Sequence, residues 1–570
     1  MMKKRGFIVV FFALAALLCQ SQTMERELIV RKALSENGQA KILVAASRDW
    51  LDVLSNTVSV DAFRSGKWLC YVNEKGFDKF LTLNLPYEPL IENRQSKASW
   101  VATDTSQMLS WNLYPSYEVY VALMQGFAEK YPDLCRLDTI GATTNGRLLL
   151  VLCLSDSVNH PLDKPKCFFS SSMHGDELTG AVMMLRLADY MLANAHSDAR
   201  ISQIMSGIRL YICPMANPDG TYCGGNQSVS VSKRFNANNV DLNRNFPSPK
   251  LGLHPDEEAF QAETMAFMEY AIKERFDINY NLHGGSEVCN YPYDYPLPSN
   301  GVSHPDNDWF VQMCGRFVDT LRQYAPPNYF TDVASCGYIL GYDWYPISGS
   351  RQDYHTYSLG QRETTLEISI NKTPPPDSLP SFWHYLNSGF LTLMEECFYG
   401  VNGKVKDSLT GAELDSVMVF VDYHDDQTSF VYSKTGGYYF RPLHQGSYSL
   451  TFSKQGYVSR TFNVNLADRE QKTLNVSLVS GVGLSDVEER NEVLNIFPNP
   501  CLSQFEVVSS SNGSYQILNL ESKRLMEGKI AAGRNIIDTK GRIADGKYLF
   551  AFIESKSGKP IVKTIIIINR

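Results

Sequence analysis

The sequence predicts an α/β fold, a mixed and mainly parallel sheet with helices on both faces, followed by two small all-β sandwich modules. Three observations predict it. From Trp111 to about Phe398, short continuous apolar runs alternate with longer amphipathic segments, the pattern of a sheet buried on both faces. After Gly400 the segments shorten and are separated by Gly-rich turns, as in antiparallel sandwiches. The length, 570 residues at 44% hydrophobic and 20% charged, is ordinary globular material but too much for one core.

The elements follow in chain order. Lys3, Lys4 and Arg5 precede an apolar stretch from Gly6 to Cys19, too short to span a bilayer and suited to a secretory leader, residues 1–21, cut near Ser21. Residues 22–106 mix strand and helix signals, such as Lys41-Ile42-Leu43-Val44. They carry no recognisable chemistry and read as a pro-region or accessory domain. Residues 107–399 form the α/β domain. Tyr117 to Lys130 is an amphipathic helix, Leu148 to Leu154 and Cys167 to Ser171 are strands, and Leu178 to Ala195 is helical. Ile208 to Cys213 is a strand followed by the turn Asn217-Pro218-Asp219-Gly220. Glu263 to Glu274 is helical, Ile278 to Leu282 is a strand ending at His283, and Thr365 to Ile370 is a strand carrying Glu367. Residues 400–480 form the first sandwich, with strands around Lys404, Val417 to Val421, Tyr438 to Phe440, Gly446 to Leu450 and Arg460 to Leu466. Residues 481–570 comprise a polar linker, Ser485 to Asn491, and a second β module from Phe497 onward.

Charge and cysteine content narrow the function classes. The net charge of -8, with no basic run, argues against nucleic-acid binding. No segment after the leader is long and apolar enough to cross a membrane as a helix. No CxxC pair occurs, which argues against a cysteine zinc site. Cys153 and Cys213 lie in apolar strands and read as buried thiols.

The chemistry concentrates in one constellation. His174-Gly175-Asp176-Glu177 places a histidine and a carboxylate three apart, and His283 follows far downstream. Two histidines and a glutamate are the protein ligands of a catalytic zinc that keeps its fourth position for water. Both histidines follow apolar strands, where open α/β sheets hold their ligands. Glu367 sits in the apolar strand Thr365-Leu366-Glu367-Ile368, where burial raises a carboxyl pKa toward what a general base needs. Arg234, Asn243 and Arg244 suit an anionic ligand end, since arginine matches a carboxylate with paired hydrogen bonds.

Further strings carry a family resemblance. Asn217-Pro218-Asp219-Gly220, Val240-Asp241-Leu242-Asn243-Arg244-Asn245-Phe246-Pro247, Asn281-Leu282-His283-Gly284-Gly285-Ser286, Asn290-Tyr291-Pro292-Tyr293-Asp294, Trp344-Tyr345 and Gln352-Asp353 occur in order. With the His174 string, they make residues from about Trp111 to Phe398 resemble the zinc carboxypeptidases of the carboxypeptidase A and B superfamily, in the N/E-type regulatory branch. That resemblance implies that His174, Glu177 and His283 hold one zinc ion, and that Glu367 moves the proton from the attacking water to the leaving amine. It implies that Arg234 stabilises the oxyanion, that Asn243 and Arg244 bind the terminal carboxylate, and that Tyr345 closes over substrate. It also implies that Asp294 lies at the base of the specificity pocket with Gln352 on its wall, selecting C-terminal lysine or arginine. Two departures stand out: Thr356 replaces a tyrosine of the usual string, and Glu287 stands where a small or apolar residue is usual.

The tail modules resemble known partners of such a domain. Gly403-Lys404-Val405-Lys406-Asp407, Gly437-Tyr438-Tyr439 and Gly446-Ser447-Tyr448 resemble the transthyretin-like domain of N/E-type enzymes. Phe497-Pro498-Asn499-Pro500, Gly546-Lys547-Tyr548-Leu549-Phe550, Val562-Lys563-Thr564-Ile565-Ile566 and Asn569-Arg570 resemble the C-terminal sorting domain of type IX secretion. The implied location is secreted, or attached to the outer surface of a Gram-negative bacterium, with peptide C-termini as substrate and the secretion machinery as partner. The rival readings are an amidase acting on cell-wall peptides and an inactive peptide-binding adhesin. The first is disfavoured by the presence of Asn243 and Arg244, the second by the intact catalytic positions.

Overall fold

The computed structural model describes residues 23–91, 98–159, 163–298, 301–426, 428–481, 494–497, 501–502, 504–519, 523–544, 546–555 and 560–568. The leader, the linker Ser485 to Asn491, Pro498 to Pro500 and Asn569-Arg570 lie outside the described residues.

A helix over residues 23–37 opens the N-terminal unit. Four strands follow: β1 (Ala40–Val44), β2 (Ser59–Arg64), β3 (Lys67–Val72) and β4 (Tyr87–Leu90). They pair antiparallel in the order β2-β3-β1-β4. Alternation along β1 buries Ala40, Ile42 and Val44, which pack with Val30, Leu34, Phe77 and Phe80 from the flanking helices. The helix Glu74–Thr82 starts where the Asn73 side chain accepts a bond from the Gly76 amide at 2.7 Å.

The central domain is an eight-stranded sheet. Its strands are β5 (Cys135–Ala142), β6 (Leu148–Leu154), β7 (Lys166–Ser171), β8 (Arg209–Cys213), β9 (Ile278–His283), β10 (Glu287–Tyr291), β11 (Tyr338–Leu340) and β12 (Arg362–Ile368). They lie in the order β11-β10-β12-β9-β7-β8-β6-β5. The pairs β11/β10, β12/β9, β9/β7 and β7/β8 are parallel. The pairs β10/β12, β8/β6 and β6/β5 are antiparallel. The sheet is therefore mixed and mainly parallel, as its sequence pattern predicts.

Alternation explains why these strands read as unbroken apolar runs. Cys167, Phe169, Leu210 and Ile212 pack on one face against the helices Thr179–Asn194, Asn307–Leu321 and Leu379–Glu395. Phe168, Tyr211 and Cys213 pack on the other against Phe267 and Tyr270 of the helix Ala262–Glu274. Both faces are buried, so both side-chain sets must be apolar. The Asn217 turn is in fact one turn of helix, Pro218–Thr221, capped by the Asn217 side chain accepting from the Gly220 amide at 2.8 Å.

Two all-β units complete the chain. In the first, sheets built on Gly400–Asp407 and on Gly446–Ser453 enclose Val401, Val405, Val419, Leu450 and Phe452. In the second, a three-stranded and a five-stranded sheet enclose Val507, Ile517, Phe550 and Ile565.

Candidate metal centre and substrate cleft

β7 ends at Ser171, and the chain then turns sharply, with Ser172 at φ 54°. Gly175 is required here, because a Cβ would lie 2.3 Å from the Gly220 carbonyl carbon. The Ser172 hydroxyl donates to the Glu177 carbonyl at 2.8 Å. This loop delivers His174 and Glu177 beside the end of β9, where His283 lies.

The three side chains converge. His174 Nδ1 is 2.9 Å from Glu177 Oε1, His283 Nδ1 is 2.9 Å from Glu177 Oε2, and the two Nδ1 atoms are 3.1 Å apart. All three residues are buried, and their ligand atoms lie within 4.8 Å of one another. Glu177 also accepts from Lys372 Nζ at 2.9 Å and from the Gly284 amide at 3.1 Å, but two ring nitrogens that face each other need a cation or a proton between them. The donor set is the two-histidine, one-glutamate set of a catalytic zinc.

The outer partners fix the rings. His174 Nε2 is 3.1 Å from Asp241 Oδ1, the carboxylate–histidine arrangement that orients a metal-binding imidazole. His283 Nε2 is 2.7 Å from the Asn281 amide nitrogen. Burial lowers the His283 pKa to about 4, so its ring is neutral, the form that binds a metal. Burial also opposes ionisation of Glu177, but His174, Lys372 and His283 outweigh it and hold the carboxyl well below its usual range. Asp241 behaves likewise, with Arg234 and His174 outweighing its burial.

Glu367 lies on β12 directly opposite His283 of β9. Leu366 and Ile368 point into the apolar core, so Glu367 faces the other way, toward the metal centre. Its Oε2 has no hydrogen-bond partner. Burial and the Glu177 carboxylate push its pKa well above the usual range.

Arg234 donates from Nε to Asp241 Oδ2 at 2.9 Å, and its Nη1 is 3.7 Å from Glu177 Oε1. Asn243 follows the buried Asp241, whose Oδ1 accepts the Asn243 amide at 2.9 Å. Asn243 Oδ1 accepts from the Arg351 amide at 3.0 Å. Arg244 Nη1 donates to the Asn243 carbonyl at 3.0 Å, and its Nε is unpartnered.

Asp294 is buried, and its Oδ1 accepts from Gln352 Nε2 at 3.0 Å. Gln352 Oε1 accepts from the Thr365 amide at 2.8 Å, tying this pocket to the Glu367 strand. Gly341 must be glycine, since a Cβ would lie 2.0 Å from Asp294 Oδ1. Burial raises the Asp294 pKa to about 6, against lowering contributions from Ser350 and Asn290. Arg244 is close enough to lower it further. Tyr345 is buried rather than free, with its hydroxyl 3.4 Å from the Asp61 carbonyl.

Glu287 adds no charge to this cleft. Val288 pairs across from Glu367 and packs with Trp344 and Tyr345, so alternation turns Glu287 to the opposite face. There burial and Asp332 raise its carboxyl to about 7.

Three residues escaped the sequence reading: Asp241, Lys372 and Asp61. Asp241 carried a signal, a carboxylate inside the apolar frame Val240-Asp241-Leu242. Lys372 Nζ donates to Glu177 Oε1 at 2.9 Å from the loop after β12, and nothing in its surroundings marks it. Asp61 belongs to β2 of the N-terminal unit, which the sequence marks with no recognisable chemistry, and its Oδ1 accepts from Arg234 Nη1 at 3.0 Å. Sequence separation hid the contact, because the two residues meet only through docking of one unit on the other.

The family profile described as zinc carboxypeptidase matches residues 120–386, and that of the carboxypeptidase regulatory-like domain matches residues 400–479. Carboxypeptidase M of Mus musculus is 31% identical over 367 residues, covering 63% of this chain and 82% of the relative. Carboxypeptidase D of Mus musculus is 30% identical over 378 residues, covering 64% of this chain but 27% of that longer relative. The crystal structure of carboxypeptidase A from Helicoverpa armigera aligns with a TM-score of 0.48 at 20% identity, over 63% of this chain and 98% of that one. The chain belongs to the zinc carboxypeptidase family: it is a metallocarboxypeptidase whose cofactor is zinc.

Proposed function

We propose that this enzyme is exported and removes C-terminal lysine or arginine from peptides and proteins. The observation that carries the specificity is Asp294, a buried carboxylate held by Gln352 within electrostatic reach of Arg244. A buried anion with no cation in ion-pair contact favours a substrate side chain that brings one.

His174 and His283, each through Nδ1, and Glu177, through its carboxylate, would hold the zinc. Bound zinc supplies a Lewis acid and lowers the pKa of water. Arg244 and Asn243 bind the substrate's terminal carboxylate, which restricts cleavage to the last peptide bond and fixes its orientation. Arg234 places a guanidinium where negative charge develops on the scissile carbonyl oxygen. Glu367, facing the metal centre with one unpartnered oxygen, accepts a proton from the attacking water and gives it to the leaving amine. Tyr345 shields the bound end from solvent.

The terminal modules support the setting. The strand Gly446–Ser453 and its neighbours form a sandwich beside the catalytic domain, suited to a scaffolding transthyretin-like role. The last β unit, with its ordered motifs from Phe497 onward, is a type IX sorting module. It engages the secretion machinery and delivers the enzyme to the medium or to the outer surface of a Gram-negative bacterium.

The test is hydrolysis of matched peptides ending in Arg, Lys, Leu or Phe, with and without a zinc chelator. Release of Arg and Lys in preference to Leu and Phe, lost on chelation, supports the reading. Preferential release of Leu or Phe would refute the role given to Asp294 and leave the zinc chemistry standing.

A further inference from the structure

We propose that Asp353 is the positioning residue of the specificity pocket: its carboxyl grips the backbone at Asp294 and Tyr295 and so fixes where the Asp294 charge meets the substrate side chain. The inference rests on the reading of Asp294 given above.

Asp294 lies three residues beyond the end of β10, where no ladder fixes the chain. Its position has to come from elsewhere. Asp353 Oδ1 accepts from the Asp294 amide at 2.8 Å, and Asp353 Oδ2 accepts from the Tyr295 amide at 3.0 Å. The Asp294 carbonyl accepts from the Ile347 amide at 3.0 Å. Asp294, Tyr295 and Asp353 are all buried, so water does not take over these bonds when they are lost. Gln352 Nε2 holds the Asp294 side chain, and Asp353 holds the main chain beneath it. Burial, reinforced by the Asp294 charge and opposed by the two amides, raises the Asp353 pKa well above its usual range. The pair therefore places its negative charge on Asp294, and Asp353 serves as an acceptor beside it.

Asp353 is itself held in place. It ends a single helical turn, Arg351–Asp353, which starts at Ser350, and the Ser350 hydroxyl accepts from the Asp353 amide at 3.2 Å. Arg351 Nε donates to Glu363 Oε1 at 2.8 Å, and Gln352 Oε1 accepts from the Thr365 amide at 2.8 Å. Both partners belong to β12, the strand that carries Glu367. The Arg351 amide donates to Asn243 Oδ1 at 3.0 Å. One short turn, anchored on the strand of the base, thus reaches the residue assigned to the substrate's terminal carboxylate and the residue assigned to its side chain. A shift of about 1 Å in such a charged group is enough to weaken a complementary contact severely.

The experiment uses the full chain loaded with zinc, as wild type, Asp353→Ala, Asp353→Asn, Asp294→Asn and the double variant Asp294→Asn/Asp353→Asn. Asp353→Ala removes both acceptors and Asp353→Asn keeps one, so the second serves if the first fails to fold. Steady-state kcat and KM are measured on matched peptides ending in arginine and in leucine. The ratio of kcat/KM for arginine over leucine should fall ~10-fold in Asp353→Ala and less in Asp353→Asn, with the loss in KM for the arginine peptide. In the Asp294→Asn background, Asp353→Asn should leave the ratio where Asp294→Asn alone puts it, because the two residues act as one unit. A purely structural role would lower both peptides equally through the folded fraction, and that result overturns the proposal. So does a ratio that falls by the same factor in both backgrounds. If Asp294→Asn collapses the ratio while the Asp353 variants keep it, only the positioning role fails. If Asp294→Asn itself keeps the wild-type ratio, the pocket reading fails and takes this proposal with it.

Discussion

Among the described residues, two clusters bring histidine and carboxylate atoms close enough to hold a metal ion: His174, Glu177 and His283, and Asp306, His424 and Asp425. They differ in what already satisfies their acceptors. Asp306 Oδ2 accepts from Arg362 Nε at 3.0 Å, Arg362 Nη2 at 2.6 Å and Arg441 Nη1 at 2.9 Å, and its Oδ1 accepts from Arg441 Nη2 at 2.8 Å. Arg441 also pairs with Asp425. Two guanidinium groups thus balance two carboxylates, and the cluster locks the first β-sandwich onto strand β12. At the other cluster two ring nitrogens and a carboxylate point at one another, with the His174 ring held from behind by Asp241. Glu177 is held too, by Lys372 and the Gly284 amide, so what separates the clusters is the direction of the lone pairs: only the first turns two ring nitrogens onto one point.

Four experiments break or sharpen that contrast. The largest effect belongs to the metal itself. His174→Ala, or chelation of the wild type, should abolish peptide hydrolysis and remove zinc measured by atomic emission. His424→Ala should change neither, and if it lowered zinc content the contrast between the clusters would fail. Next, Glu367→Gln should lower kcat by ~10²–10⁴-fold while zinc content stays at the wild-type level, separating proton transfer from metal binding.

Asp294→Asn should lower kcat/KM for peptides ending in arginine by ~10²-fold, the consequence of leaving the substrate cation unpaired, and should spare peptides ending in leucine. The pH profile carries the same signature. Burial raises Asp294 to about 6, so the carboxyl is charged above that pH and neutral below it. KM for arginine-ended peptides should therefore rise as pH falls through about 6, and the rise should be absent in Asp294→Asn.

The smallest effect on activity is expected at the second cluster. Asp306→Asn leaves the buried Arg362 guanidinium without its carboxylate, while Arg441 keeps Asp425, and should cost ~3–5 kcal/mol of stability in chemical denaturation, with kcat per folded molecule unchanged. Burial of Asp306 disfavours its charge, but Arg441 and Arg362 outweigh it and hold the folded pKa below the unfolded one. The stabilisation is therefore present above the unfolded value of about 3.9 and is lost only as pH falls through the lower, folded value. Loss of this stabilisation near neutral pH would contradict the assignment.

Much of the fold was legible because its elements are local. The helix Tyr117–Lys130 and the strands Leu148–Leu154 and Arg460–Leu466 run where their periodicity puts them. Other ends moved by a few residues: β7 begins at Lys166, and β12 runs from Arg362 to Ile368 rather than from Thr365 to Ile370. Those ends are set by pairing with neighbouring strands, Lys166 with Arg209 of β8 and Arg362 with Ile278 of β9, which no single strand encodes. Where the N-terminal pro-region or accessory domain docks was hidden for a related reason. Its strands look ordinary, and only the bulge at Asp61 and its docking give it a place in the site.

By itself the sequence determined the α/β class, the two β units after it and the residues His174, Glu177, His283 and Glu367 as one chemical set. It could do so because a buried strand, a glycine turn and a ligand pair three apart are each written in neighbouring residues. Tertiary structure alone decided that Asp241 backs His174, that Lys372 reaches Glu177, that Glu287 faces away from the cleft, and that Asp61 sits on Arg234. Those contacts join segments far apart in the chain, and their geometry comes from strand register, face alternation and domain docking, which the spacing of residues along the chain does not specify.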